Sequence, residues 1–170
     1  AEISSFGERY HHGLEAGSKA ELIAAISFIN DPEAFIICNG YKDGEFVDLA
    51  LYAVKMGLKC FLVVESPSEL PVILSRSKAL GVRPLLGVRM KLASNAGGLW
   101  TESGGEHSVF GLNTAQVIDM VDDLCDKDML DCLQLLHYHL GSQIPNIRDI
   151  RAAVLEAARI YVGLVKEGAA

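Results

Sequence analysis

Five short apolar runs recur along this chain of 170 residues, and a segment with helical spacing follows each one. The runs are "HGLEAGS" at 12–18, "AFIICNG" at 34–40, "KCFLVVES" at 59–66, "RPLLGVRMKL" at 83–92 and "LDCLQLLHYHLGS" at 130–142. Strands that are apolar on both faces and alternate with helices indicate a parallel sheet built from βα crossovers. Nothing in the rhythm marks a reversal of strand order. The expected fold is therefore α/β, a partial (β/α)8 barrel of about five βα units with parallel strands. A full barrel takes ~250 residues, so roughly three units are missing. The competing architecture is a complete doubly wound sheet of five strands.

The helical segments carry their own boundaries. Ser18 and Glu21 form an S-x-x-E capping pair before "KAELIAAISFI". In "DGEFVDLALYAVKMG", Phe46, Leu49, Ala50 and Ala53 share a face, and Gly57 supplies the stop. The helix in "SPSELPVILSRSKALG" stops at Gly81, with Pro71 in its first turn. Asn113 or Thr114 caps "TAQVIDMVDDLCD", and a long helix follows in "NIRDIRAAVLEAARIYVGLVKEG". Residues 93–108, "ASNAGGLWTESGGEHS", break the rhythm. A stretch of this length without an apolar period is usually functional or disordered.

Half of the residues are apolar, so the chain can bury a sizeable core, and the net charge is −7. That charge argues against nucleic acid or an anionic membrane as an electrostatic partner. No apolar run approaches the ~18 residues of a membrane span. The N-terminus lacks the order of a signal peptide and reads like chain already under way. Cys38, Cys60, Cys125 and Cys132 form no C-x-x-C pair and read as buried thiols of a reducing, cytoplasmic protein.

In parallel barrels, sites lie at the carboxyl ends of strands. Those positions hold Glu15, Asn39 to Lys42, Glu65, Arg89 to Leu92, and His139 to Ser142. Alternation puts His137 and His139 on one face of their strand, with His139 nearer the tip. An imidazole there can stack on a flat ring or exchange protons near neutral pH. Gly141 lets backbone approach a ligand, and the Ser142 hydroxyl suits a phosphate. The plainer reading of both histidines is hydrogen bonding to backbone groups. Zinc would need a third ligand that the sequence does not supply. Glu15 either faces a ligand or caps the next helix. Arg89, Lys91, Tyr41 and Lys42 either meet an anionic group or sit solvated at the rim.

The segments "GLEAGSKAEL", "IICNGYKDGEFVDLAL", "GVRMKLAS", "SGGEHSVFGLNTAQV" and "LQLLHYHLGSQIPNIRDI" occur in this order. Together they resemble the biosynthetic arginine decarboxylases, pyridoxal-phosphate enzymes with an alanine-racemase-like barrel. "CNGYKD" and "HLGSQIPNIRDI" are specific to the arginine branch. "H-x-G-S" is shared with ornithine and diaminopimelate decarboxylases.

The resemblance implies conversion of L-arginine to agmatine and carbon dioxide, feeding polyamine and spermidine synthesis. It implies pyridoxal 5'-phosphate as the group that accepts the electrons left by decarboxylation. On the matching positions, His139 stacks on the pyridine ring, Ser142 lies by the phosphate with Gly141 beside it, and Glu15 lies near the cofactor. His137 receives no role. Magnesium dependence and homo-oligomeric assembly, with sites completed across subunits, are further family expectations.

The resemblance also implies that residues 1–170 are one incomplete cofactor-binding barrel domain, inactive alone. The family's lysine-bearing first strand would precede it. The later strands and the C-terminal β domain would follow. No catalytic residue is expected within the chain, and Lys19, Lys42 and Lys91 do not replace the missing lysine. His107 and Val109 stand where the family usually has lysines, which removes two positive charges near the site. The alternatives are an ornithine- or diaminopimelate-type decarboxylase, a non-catalytic homologue that binds the cofactor, and a free-standing small-molecule-binding module.

Overall fold

The structure, a computed structural model, describes residues 2–92, 108–141 and 144–169. Helix α1 (Glu2–Gly7) and a single 3-10 turn (Glu8–Tyr10) come first and had no counterpart in the apolar rhythm. The expected alternation follows: β1 (Leu14–Ala16), α2 (Lys19–Phe28), β2 (Phe35–Cys38), α3 (Gly44–Lys55), β3 (Lys59–Val64), α4 (Glu69–Leu80) and β4 (Leu85–Arg89). It continues with α5 (Thr114–Asp126), a 3-10 turn (Leu130–Cys132), β5 (Leu133–His137) and α6 (Ile147–Glu167).

The strands form one sheet in the order β1-β2-β3-β4-β5. A doubly wound sheet must reverse direction at a switch point. Here every crossover steps the same way, which is the order of a partial (β/α)8 barrel. β1, β2 and β3 pair in parallel, with Leu14 opposite Ile36 and Cys38 opposite Leu62.

The helix boundaries follow from local chemistry. Ser18 Oγ accepts from the Glu21 N–H at 3.3 Å. Glu21 Oε2 reaches back one residue beyond the cap and accepts from the Gly17 N–H at 2.8 Å. Asp43 caps α3 through the Phe46 N–H. Asn113 and Gln116 form a complete capping box on α5. Gly81 ends α4 in the left-handed region at φ +63, where a Cβ would be strained.

Two compact units divide the chain. Residues 1–63 with 68–86 make the first, and residues 64–67 with 87–170 make the second. In the first, burial alternates along β1 and β2. Ala16, Ile36 and Cys38 are buried, while Glu15 and Phe35 are exposed. The buried side packs under helices with Leu22, Ala25, Phe46 and Leu51 in the core. The opposite side is an open sheet face, where the Phe35 ring meets Phe61 edge-on at 5.2 Å. In the second unit, Leu112, Val117, Met120, Leu124 and Leu133 form the core, and α6 buries Ala153 and Ala157.

Cys38, Cys60 and Cys132 are buried and outside any disulfide, and Cys125 is exposed, so the buried-thiol expectation fails at that position. It lies in the last turn of α5, off the face that holds Val117, Val121 and Leu124. Among the described residues, no helix is long and apolar enough to cross a membrane.

Candidate functional site at the strand carboxyl ends

In the first unit, consecutive strand ends are laced together. The Asn39 N–H donates to the Ala16 carbonyl at 3.2 Å, tying the end of β2 to the end of β1. Gly40 has φ +74, and a Cβ there would lie 2.8 Å from the Gly17 carbonyl oxygen. The chain therefore needs glycine at 40, because the two loops touch backbone to backbone. Lys19 at the start of α2 donates to Asp43 at 2.9 Å and to Glu45 at 2.8 Å, both at the start of α3. Its ammonium is pushed above the ordinary lysine range, by Glu45 first and Asp43 second. The Phe46 N–H and then Lys19 hold Asp43 below the ordinary carboxylate range.

Lys42 is not a rim residue. Its side chain is 0% exposed and meets Glu69, 3% exposed, at 3.2 Å. The Lys42 ammonium also donates to the Gly40 carbonyl, and the Lys42 N–H donates to the same Glu69 oxygen at 3.2 Å. Glu69 was missed as a site-building residue. The pair is 27 residues apart in sequence, so no local spacing announces it. Tyr41, next to it, is exposed.

Glu15 takes no part in capping, which Ser18 and Glu21 perform. It sits exposed on β1, opposite Ile37, on the open face of the sheet.

In the second unit, Arg89 at the end of β4 donates to Glu65 just past β3 at 2.6 Å, so the rim alternative fails for Arg89. The Phe110 ring lies 5.5 Å from its guanidinium carbon, within the range of a cation–π contact. The returning chain is stitched to these strand ends. The Gly111 N–H donates to the Glu65 carbonyl at 2.9 Å, and the Leu112 N–H to the Arg89 carbonyl at 2.8 Å. Val109, where the resemblance implies a lysine, is 86% exposed.

β5 ends at His137, so His139 lies two residues past the strand rather than on it. The His137 carbonyl accepts from the Met90 N–H at 2.8 Å. His139 is exposed. Gly141 has φ +128 with open space where a Cβ would stand. Ser142, His107 and nearly all of the stretch 93–108 lie outside the described residues.

Glu15 belongs to the first unit, and His139 and Gly141 to the second. Taken one by one, Glu15 is an exposed carboxylate, His139 an exposed imidazole, and Gly141 a positive-φ position with open space at its Cβ. Each of these groups suits by its chemistry one part of pyridoxal phosphate, a flat ring bearing a basic nitrogen and an anion. Neither Lys19 nor Lys42 stands free, since both are engaged in ion pairs. Among the described residues, no group of three or more His, Cys, Asp or Glu could hold a metal ion.

Residues 5–170 match the family model described as pyridoxal-dependent decarboxylase, pyridoxal binding domain. The chain is 52% identical over 157 residues to the biosynthetic arginine decarboxylase of Neisseria meningitidis, covering 92% of this chain and 25% of that protein. It is also 52% identical, over 168 residues, to that of Rhodopirellula baltica, covering 99% of this chain and 25% of the relative. It thus spans about a quarter of the length of these relatives.

The crystal structure of the biosynthetic arginine decarboxylase of Campylobacter jejuni superposes with a TM-score of 0.86 at 35% identity, over 98% of this chain and 26% of that one. Diaminopimelate decarboxylase of Helicobacter pylori shares the fold, with a TM-score of 0.81 at 23% identity over 99% of this chain and 42% of that one. The strand order and the match over residues 5–170 agree: the chain belongs to the pyridoxal-dependent decarboxylases, within their pyridoxal binding domain.

Proposed function

We propose that the chain is the central part of the cofactor-binding barrel of an arginine decarboxylase that forms agmatine and carbon dioxide. The observation that carries this reading is the 52% identity to arginine decarboxylases over nearly the whole chain. In this reading residues 1–170 are an incomplete domain and are inactive alone. The complete enzyme is cytoplasmic, assembles as a homo-oligomer and supplies agmatine for polyamine synthesis. Magnesium dependence stays a family expectation for the complete enzyme.

Pyridoxal phosphate, when bound, supplies an electron sink for the pair released as the bond to the carboxylate carbon breaks. The chain's own residues bind and orient. His139 would stack on the flat ring, and Gly141 would let the backbone approach the anion. By the resemblance, Ser142 would give its hydroxyl to the phosphate, and Glu15 would present a carboxylate to the cofactor. A proton must then be added to the substrate α-carbon. No described side chain is assigned that transfer.

The test is carbon dioxide release from arginine, ornithine and lysine by the full-length protein carrying this chain, with pyridoxal phosphate added. Agmatine from arginine alone supports the reading. Turnover of ornithine or lysine instead moves the chain to a sister branch. A folded protein that binds the cofactor but releases nothing from any of the three is a non-catalytic homologue.

A further inference from the structure

The buried Lys42–Glu69 pair stands apart from the rest of the first unit. Two other lysines of that unit, Lys19 and Lys59, make exposed pairs. A buried ion pair is a weak source of stability, because withdrawing two charges from water offsets their attraction, and apolar replacements of similar volume are often neutral or better. Core packing alone therefore does not account for it. Its position does. Lys42 grips its own loop through the Gly40 carbonyl and grips the start of α4 through Glu69. Gly40 in turn rests on Gly17 with no room for a Cβ. Asn39 is tied to Ala16, the residue after Glu15. The contacts run without a gap from Glu69 through Lys42, Gly40 and Gly17 to the strand that carries Glu15.

We propose that the Lys42–Glu69 ion pair is a positioning device for the cofactor-facing end of β1, fixing the height and direction at which Glu15 meets pyridoxal phosphate. This rests on the reading of the strand ends as a pyridoxal-phosphate site. The Lys42 side chain is 0% exposed, withdrawn from any ligand at the strand ends. It acts through the loop it anchors. A site held by such a supporting layer loses affinity when that layer is loosened, even with every contacting residue present.

The experiment uses the full-length protein and measures the dissociation constant for pyridoxal phosphate by fluorescence titration, with thermal unfolding of the cofactor-free protein alongside. The main variant is the double substitution Lys42→Met with Glu69→Gln, which leaves no lone buried charge. Lys42→Arg is the conservative comparison, and Glu15→Gln is combined with both. The dissociation constant of the double variant is expected to rise roughly tenfold. Lys42→Arg should recover part of the loss, and Glu15→Gln should absorb it, so that the triple variant binds no more weakly than Glu15→Gln alone. Unchanged affinity in a folded double variant overturns the proposal. So does a loss that multiplies with that of Glu15→Gln, which assigns the pair a role independent of Glu15. Wild-type protein that does not bind pyridoxal phosphate overturns this proposal together with the functional reading beneath it, a distinct result from wild-type binding with a silent variant.

Discussion

Arg89 and Glu65 meet at 2.6 Å at the carboxyl ends of β4 and β3, with side chains 13% and 2% exposed. Phe110 closes over the guanidinium and Gly111 binds the backbone of Glu65, so the pair also anchors the returning chain at 108–112. Removing one partner leaves the other charged and nearly dry. Glu65→Ala is expected to cost roughly 2–3 kcal/mol, at or below the low end for a broken buried pair because Arg89 keeps some water. The double substitution Glu65→Leu with Arg89→Met should recover most of that. Denaturant unfolding of the four proteins of this cycle checks both statements, and a double variant as unstable as Glu65→Ala would contradict them.

Gly40→Ala meets two penalties at once. The residue sits at φ +74, and the new Cβ would lie 2.8 Å from the Gly17 carbonyl oxygen. Backbone strain at such positions costs on the order of 1–3 kcal/mol. Gly81→Ala is the control, since it is strained at φ +63 but meets open space. The denaturation midpoint should fall further for Gly40→Ala than for Gly81→Ala.

Asp43 gives the start of α3 a pH dependence with a defined sign. Its folded carboxyl is held below the ordinary value of 3.8 by the Phe46 N–H and then by Lys19. The stabilisation is therefore fully present above that ordinary value. It is lost as the pH falls through the lower folded value. Lys19 acts at the other end. Its folded value is raised above 10.5, so its contribution holds below that pH and fades as the pH rises through the folded value. Asp43→Asn keeps a good cap but removes the charge. Stability against pH should lose part of its acid slope in that variant, and an unaltered slope would count against the assignment.

The cysteines should separate by accessibility. Cys125 is exposed, while Cys38, Cys60 and Cys132 are buried. Cys38 and Cys60 lie 3.5 Å apart at sulfur, and that hydrogen bond and then burial push the Cys60 thiol well up. A thiolate is the reactive form. A thiol reagent should label Cys125 quickly in the native protein and Cys38 and Cys60 only on unfolding. Peptide mapping after a short pulse gives the answer, and early labelling at Cys60 would show that the strand pair opens.

The sequence by itself determined the alternation of strands and helices and most helix ends, because both depend on local chemistry: apolar period, capping side chains and glycine stops. The caps at Ser18, Asn113 and Gly81 are read from neighbours within a few residues, and the structure places all three as expected. It also marked the strand ends as the place for a site, because parallel βα units leave their loops there. It did not determine which polar residues at those ends are accessible. Lys42 and Arg89 read equally as partners of an anionic group or as solvated rim residues, and both are withdrawn into ion pairs with partners 27 and 24 positions away. Only the pairing of neighbouring strands brings such residues together. Burial then decides their state, because a charge taken out of water must find an opposite charge or a dipole. His139 shows the other side of the same limit. Period-2 alternation placed it on the strand, but β5 stops at His137, where the Met90 N–H meets its last carbonyl. A strand's end is set by where its neighbour's hydrogen bonds stop, and the sequence of one strand alone does not contain that information.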